Sequence, residues 1–149
     1  MYIGEYSHNL DSKGRLIIPS KFRECMEKQF YIVRDIDQCI CIYSCEQMDA
    51  KLKQLETLPQ TKKAVRVYTR MLTSTMTLCS FDSQGRILIP TTLQERVGIT
   101  KECTVIGAND HVEIWDKDTW NSYYDETVKD YSDIAEEITE LLIWWNIIV

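Results

Sequence analysis

Two short stretches carry the side chains best suited to grip another molecule. Leu10-Asp11-Ser12-Lys13-Gly14-Arg15-Leu16-Ile17-Ile18-Pro19 recurs as Phe81-Asp82-Ser83-Gln84-Gly85-Arg86-Ile87-Leu88-Ile89-Pro90, at an offset of 71 in a chain of 149 residues. Asp and Ser hydrogen-bond their own backbone and Gly takes the left-handed conformation, so each copy reads as a tight hairpin end followed by a short strand. Each Asp precedes an Arg by four residues and can orient its guanidinium fork, the group that binds phosphate or the acceptor edge of guanine. Turn chemistry accounts for Asp11, Asp82, Gly14 and Gly85, but not for a matching Arg15 and Arg86. The apolar run, the Pro, and Glu24 and Glu95 recur in step with the turns.

Other chemistry is weaker. Cys39 and Cys41 face one side of an expected strand and Cys45 follows closely, but the spacing matches no common zinc pattern, and only His8 and His111 are available to complete a set. Core thiols and no metal are expected. An enzyme would have to pair Asp11 with Asp82 as acid and base, or a thiol with His8 or His111. No Gly-rich phosphate loop or nucleophile elbow accompanies them, and each Asp already has a turn role. No catalytic residue, cofactor or small-molecule substrate is expected.

The elements that must position the turns follow from periodicity. Residues 2–9 and 16–18 read as strands around the first turn, and Pro19 and Ser20 open a short helix through Met26. Residues 31–33 and 39–43 read as strands. Ser44 starts a helix with Gln47 placed for a capping box, and Pro59 ends it. A second helix over about 62–72 carries Lys62, Lys63 and Arg66, candidate phosphate contacts that read equally well as a solvated face. Residues 75–81, the helix 90–97 with Gly98 as its stop, and strands around 105–106 and 112–115 replay the first half. A final helix follows, with Trp120, Tyr123, Tyr124 and Val128 as packing surface. The expected division is repeat 1 over 5–47, connecting helices over 48–73, repeat 2 over 74–117, and an acidic helix with an apolar tail over 118–149.

Composition bounds the class. With 44% hydrophobic residues the chain can bury a core. The opening residues do not read as a signal peptide, no apolar run of about 20 residues could span a bilayer, and the six cysteines are expected to be reduced; a cytoplasmic protein is the expectation. The net charge of −6 is unevenly spread. Residues 1–115 hold 15 Lys or Arg against 14 Asp or Glu, a balance of +1, whereas residues 116–149 hold 2 against 9, a balance of −7. The first part is free to present a basic face, and local field governs phosphate binding.

The paired Asp-x-x-x-Arg turns, the opening Met1-Tyr2-Ile3-Gly4-Glu5-Tyr6, the block Pro59-Gln60-Thr61-Lys62-Lys63 and Glu113-Ile114-Trp115 resemble MraZ, a family of bacterial transcriptional regulators. The resemblance covers about residues 1–137. It implies an α+β fold of two AbrB-like (SpoVT-AbrB type) repeats in a pseudo-symmetric, swapped-hairpin, double-psi-like β-barrel with flanking helices. It also implies a homo-oligomeric ring, nucleoid association, and double-stranded DNA as partner, bound at short promoter-proximal repeats upstream of a division and cell-wall gene cluster. Arg15, Arg86, Lys13, Asp11, Asp82, Gly14 and Gly85 match the DNA-contacting motif. An antitoxin-like protein-binding module is the alternative. Two features depart from the family pattern: Gln84 stands where the first turn has Lys13, so the second turn should contact DNA less strongly, and residues 141–149 are unusually apolar.

Overall fold

Each Asp-Ser-x-Gly segment closes a hairpin end, and each Pro that follows removes the N–H a continuing ladder needs, so the strands leaving the turns stop after three residues. In the computed structural model, which describes residues 1–148, these are β2 (Arg15–Ile17) and β6 (Arg86–Leu88). They pair antiparallel with each other, Leu16 opposite Ile87. Every other strand belongs to one antiparallel sheet: β1 (Glu5–Asn9), β3 (Phe30–Arg34), β4 (Ile40–Ser44), β5 (Thr77–Cys79), β7 (Glu102–Gly107) and β8 (Val112–Asp116), in the order β1-β7-β8-β4-β3-β5.

The sheet corrects the expectation of a closed barrel. β1 and β5 are open edges of the six-stranded ladder, and β2 with β6 form a separate two-stranded ribbon. At three residues each, β2, β5 and β6 are too short to close the ring of hydrogen bonds. The mixed α+β class holds, with six helices among the described residues: α1 (Ser20–Arg23), α2 (Cys45–Glu56), α3 (Lys63–Thr75), α4 (Thr91–Val97), α5 (Lys117–Val128) and α6 (Tyr131–Ile148).

Local signals set the helix ends. Ser44 caps α2 in a full capping box: its hydroxyl accepts from the Gln47 N–H at 3.0 Å, and the Ser44 N–H donates to Gln47 Oε1 at 2.8 Å. Gly98 ends α4 in the left-handed conformation at φ 73°.

The core lies between the sheet and the ribbon. Leu16, Ile18, Ile87 and Ile89 from around the turns, Phe22 of α1 and Leu93 and Val97 of α4 meet Ile32, Ile40, Ile42, Val105 and Ile114 of the sheet, all buried. Alternation sends Val33 and Cys41 to the other face, which α2 and α3 serve with buried Met48 and Leu72. The turns thus project from a rigid apolar wall.

The chain divides into two compact units, residues 1–117 and residues from 118 onward. In the second unit the apolar run expected as a tail is helical: α6 exposes Ile134, Ile138, Leu141, Leu142, Trp144 and Trp145. Val149, the last residue of that expected tail, lies outside the described residues. No described helix is long and apolar enough to cross a membrane.

Candidate nucleic-acid interface

The two turns have the same internal geometry. The Asp11 N–H donates to the Arg15 carbonyl at 3.0 Å and the Gly14 N–H to the Asp11 carbonyl at 3.1 Å; the matching bonds around Asp82 are 2.9 and 3.1 Å. Asp11 Oδ1 accepts from the backbone N–H of Lys13 and of Arg15, both at 2.9 Å, and Oδ2 accepts from Arg15 Nε at 2.7 Å. Asp82 repeats the set with Gln84 and Arg86 at the same three distances. Gly14 and Gly85 supply the left-handed step, at φ 78° and 75°.

This geometry fixes the electrostatics. The Arg15 backbone N–H, helped by its guanidinium and by the Lys13 N–H, holds the Asp11 carboxyl below the usual carboxylate range. The Arg86 backbone N–H does the same for Asp82. Each ionised carboxylate clamps one side of a guanidinium through Nε.

The β2–β6 pairing brings the turns together. The Ile18 N–H donates to the Gly85 carbonyl at 3.2 Å and the Ile89 N–H to the Gly14 carbonyl at 2.9 Å, so each turn is tied to the strand leaving the other. Arg86 Nη1 lies 3.7 Å from Asp11 Oδ2. Asp11, Arg15, Asp82 and Arg86 therefore form one charged array, with Lys13 exposed beside it.

The props are exchanged as well. Arg23 of α1 donates through Nε to the Ile18 carbonyl at 2.9 Å, and its guanidinium fills the space a Cβ on Gly85 would occupy. Gln94, its counterpart at the same 71-residue offset, donates to the Ile89 carbonyl at 2.8 Å and stands 2.7 Å from where a Cβ on Gly14 would lie. The helix of repeat 1 braces the turn of repeat 2, and the reverse.

Two cations at this surface were not read from the sequence. Arg23 gives the second turn a guanidinium where the first has Lys13. Lys101 lies in a groove of about 580 Å³ beside the first turn, with Asp11, Ser12, Lys13, Gly14 and Gln94. Only the 71-residue offset could have flagged Arg23, as the partner of Gln94.

The other expected residues lie elsewhere. Lys62 and Lys63 are exposed at the start of α3, which packs on β3, while Arg66 Nη1 donates to the carbonyls of Gln60 at 3.1 Å and Thr61 at 2.8 Å. His8 stands opposite Cys103 in the β1–β7 ladder, and the Cys45 thiol faces the Gln29 carbonyl at 3.7 Å. Neither sits with Cys39 and Cys41, whose sulfurs are 4.0 Å apart.

Comparison with known families matches the chain twice, over residues 1–71 and 71–142, to the family described as "MraZ protein, putative antitoxin-like". The second match begins 70 residues after the first, within one residue of the 71-residue offset of the two turns. The chain belongs to the MraZ family and carries two of its repeats.

Proposed function

We propose that the protein is a sequence-specific DNA-binding transcriptional regulator that reads short repeated promoter elements with its paired turns. The observation carrying this reading is the joined array: two guanidinium forks, each oriented by a carboxylate, side by side on a rigid ribbon with Lys13 exposed next to them. Arg15 and Arg86 are the contacts, to phosphate or guanine edges. Asp11 and Asp82 aim them, and Gly14 and Gly85 allow the turns. Lys13, Lys101 and Arg23 add phosphate contacts. Lys62 and Lys63, exposed at the start of α3 and apart from the turns, are further candidate phosphate contacts, whereas Arg66 is engaged with its own loop.

A bidentate Arg–guanine contact discriminates by about 1–3 kcal/mol, too little to find an operator alone. Several chains presenting the same array to successive repeats multiply avidity by about 10²–10⁴ when spacings match. A homo-oligomeric ring in the cytoplasm, working at the nucleoid on the chain's own division and cell-wall cluster, fits that requirement. The exchanged ribbon and props support a swapped-hairpin origin for the two halves.

The family description favours a second reading, a protein-binding antitoxin-like module. A gel shift with DNA from upstream of the protein's own operon separates the two. Retardation that scrambled DNA does not compete away is expected, together with sedimentation of a species several times the 17.5 kDa chain mass. Failure to bind that DNA at low salt overturns the proposal.

A further inference from the structure

The side of the sheet turned away from the main core carries a cluster that the turns do not use. β4 and β8 pair with Cys41 opposite Glu113, and Cys39, in the bend just before β4, sets its sulfur beside that of Cys41. Cys39 and Cys41 are buried, and the donor atoms of Cys39, Cys41 and Glu113 all lie within 4.8 Å of one another. Two thiolates on one tetrahedral zinc, each about 2.3 Å from the ion, stand about 3.8 Å apart. The observed 4.0 Å between sulfurs is within a few tenths of an ångström of that separation.

The carboxylate is held in place from both ends. His111 Nε2 lies 2.9 Å from Glu113 Oε2, and Trp115 Nε1 donates to Oε1 at 3.0 Å. The other imidazole nitrogen, Nδ1, is fixed by Asp110 at 2.6 Å. Such outer partners fix the direction in which a ligating group offers its lone pairs. The remaining thiols differ: Cys25, Cys45, Cys79 and Cys103 each turn toward a backbone carbonyl, as ordinary core or surface cysteines do. Among the described residues, only Cys39 and Cys41 face a second sulfur and a carboxylate.

We propose that Cys39, Cys41 and Glu113 bind a thiophilic divalent ion, zinc by its donor set, with His111 and Trp115 as positioning residues for the carboxylate and a water in the fourth place. Two sulfur donors select zinc over magnesium or calcium. The complex holds both sulfurs as thiolates with no change of oxidation state, so the ion competes with protons for them and affinity rises with pH. The site sits in the β4–β8 ladder, away from the ribbon, and is independent of the DNA-binding proposal.

The test uses the full chain, reduced and stripped with a chelator, then titrated with cobalt(II) and back-titrated with zinc(II). A sulfur-to-cobalt charge-transfer absorption saturating at one equivalent, abolished by zinc but not by magnesium, is expected. Cys39→Ser and Cys41→Ser should lose the absorption, while a Cys25→Ser/Cys45→Ser double variant keeps it. His111→Gln should keep the absorption with zinc affinity about 10–100-fold lower. Circular dichroism of the metal-free variants checks folding; should the buried Cys→Ser proteins not fold, Glu113→Gln replaces them, with at least tenfold weaker zinc binding expected. Absence of the absorption in the wild-type protein, or its survival in a folded Cys41→Ser variant, overturns the assignment.

Discussion

The Arg86 guanidinium lies 3.7 Å from the Asp11 carboxylate, across the boundary between the two repeats. Asp11 also holds Arg15 at 2.7 Å, whereas among the described residues Asp82 is paired with Arg86 alone. One carboxylate thus orients both forks. Asp11→Asn is expected to weaken DNA binding more than Asp82→Asn, measured by gel shift at fixed salt. Equal losses would mean that the cross-repeat contact does nothing for binding.

Arg15→Ala and Arg86→Ala should each melt close to the wild-type temperature, because partly exposed, solvent-screened ion pairs contribute little to stability. Under the proposed function, binding should nonetheless collapse, since each subunit on an operator would lose a contact and the losses would multiply. The slope of log affinity against log salt should flatten by about 0.9 for each phosphate contact removed. A variant that melts several degrees lower yet binds normally when folded would make that Arg an internal brace.

Gln84 in place of Lys13 predicts that Arg15→Ala hurts more than Arg86→Ala. Arg23 beside Gly85 opposes that asymmetry and can be tested directly. Arg23→Gln copies the residue that repeat 2 uses at the same place, so the Ile18 carbonyl keeps a donor and the melting temperature should barely move. Affinity for DNA should fall and the gap between the two alanine variants should widen. Unchanged affinity would leave Arg23 as a prop only.

Gly85→Ala combines a left-handed backbone with a collision against the Arg23 guanidinium. The conformational cost alone is about 1–2 kcal/mol for a residue bearing a Cβ. A clear drop in the urea midpoint is expected. The double variant Gly85→Ala/Arg23→Ala should recover the part due to collision and not the part due to φ.

Asp35 joins β3 to the two central helices: Lys51 Nζ lies 2.6 Å from Oδ2, Tyr68 donates to Oδ1 at 2.7 Å and Tyr43 to Oδ2 at 3.2 Å. Burial pushes its carboxyl up, but bonds from Lys51, Tyr68 and Tyr43 outweigh that and leave it below the ordinary value of 3.8. A depressed folded-state value means stability that is fully present above that ordinary value and lost as pH falls through the lowered one. Asp35→Asn should therefore cost about 1–3 kcal/mol at neutral pH and flatten the acid limb of the stability curve. Urea melts from pH 7 down to pH 2 check both.

The turns were legible because their chemistry is local: Asp11 and Asp82 bond to backbone groups two and four residues on, and Gly14 and Gly85 take a conformation their neighbours demand. The Ser44–Gln47 cap and the Gly98 stop were readable for the same reason. Sequence pattern does not encode which half supports which turn, so the exchange of Arg23 and Gln94 was invisible until β2 paired with β6. Glu113 has no visible link to the cysteines in the sequence, because only the β4–β8 register puts it opposite Cys41. The closed barrel failed on strand length, which Pro19 and Pro90 had announced. The run at 141–148 read as a tail because nearly every residue is apolar, yet it extends a helix begun at Tyr131.

β1 leaves the ribosome long before its ladder partner β7, residues 102–107. Roughly 90 further residues must be translated before that partner exists, about 5–20 s at ordinary synthesis rates. During that interval the N-terminal repeat is an unclosed sheet whose first strand lacks its neighbour. A chain released anywhere before β7 leaves β1 without its ladder, so the two halves, although alike in sequence, do not complete their sheet independently.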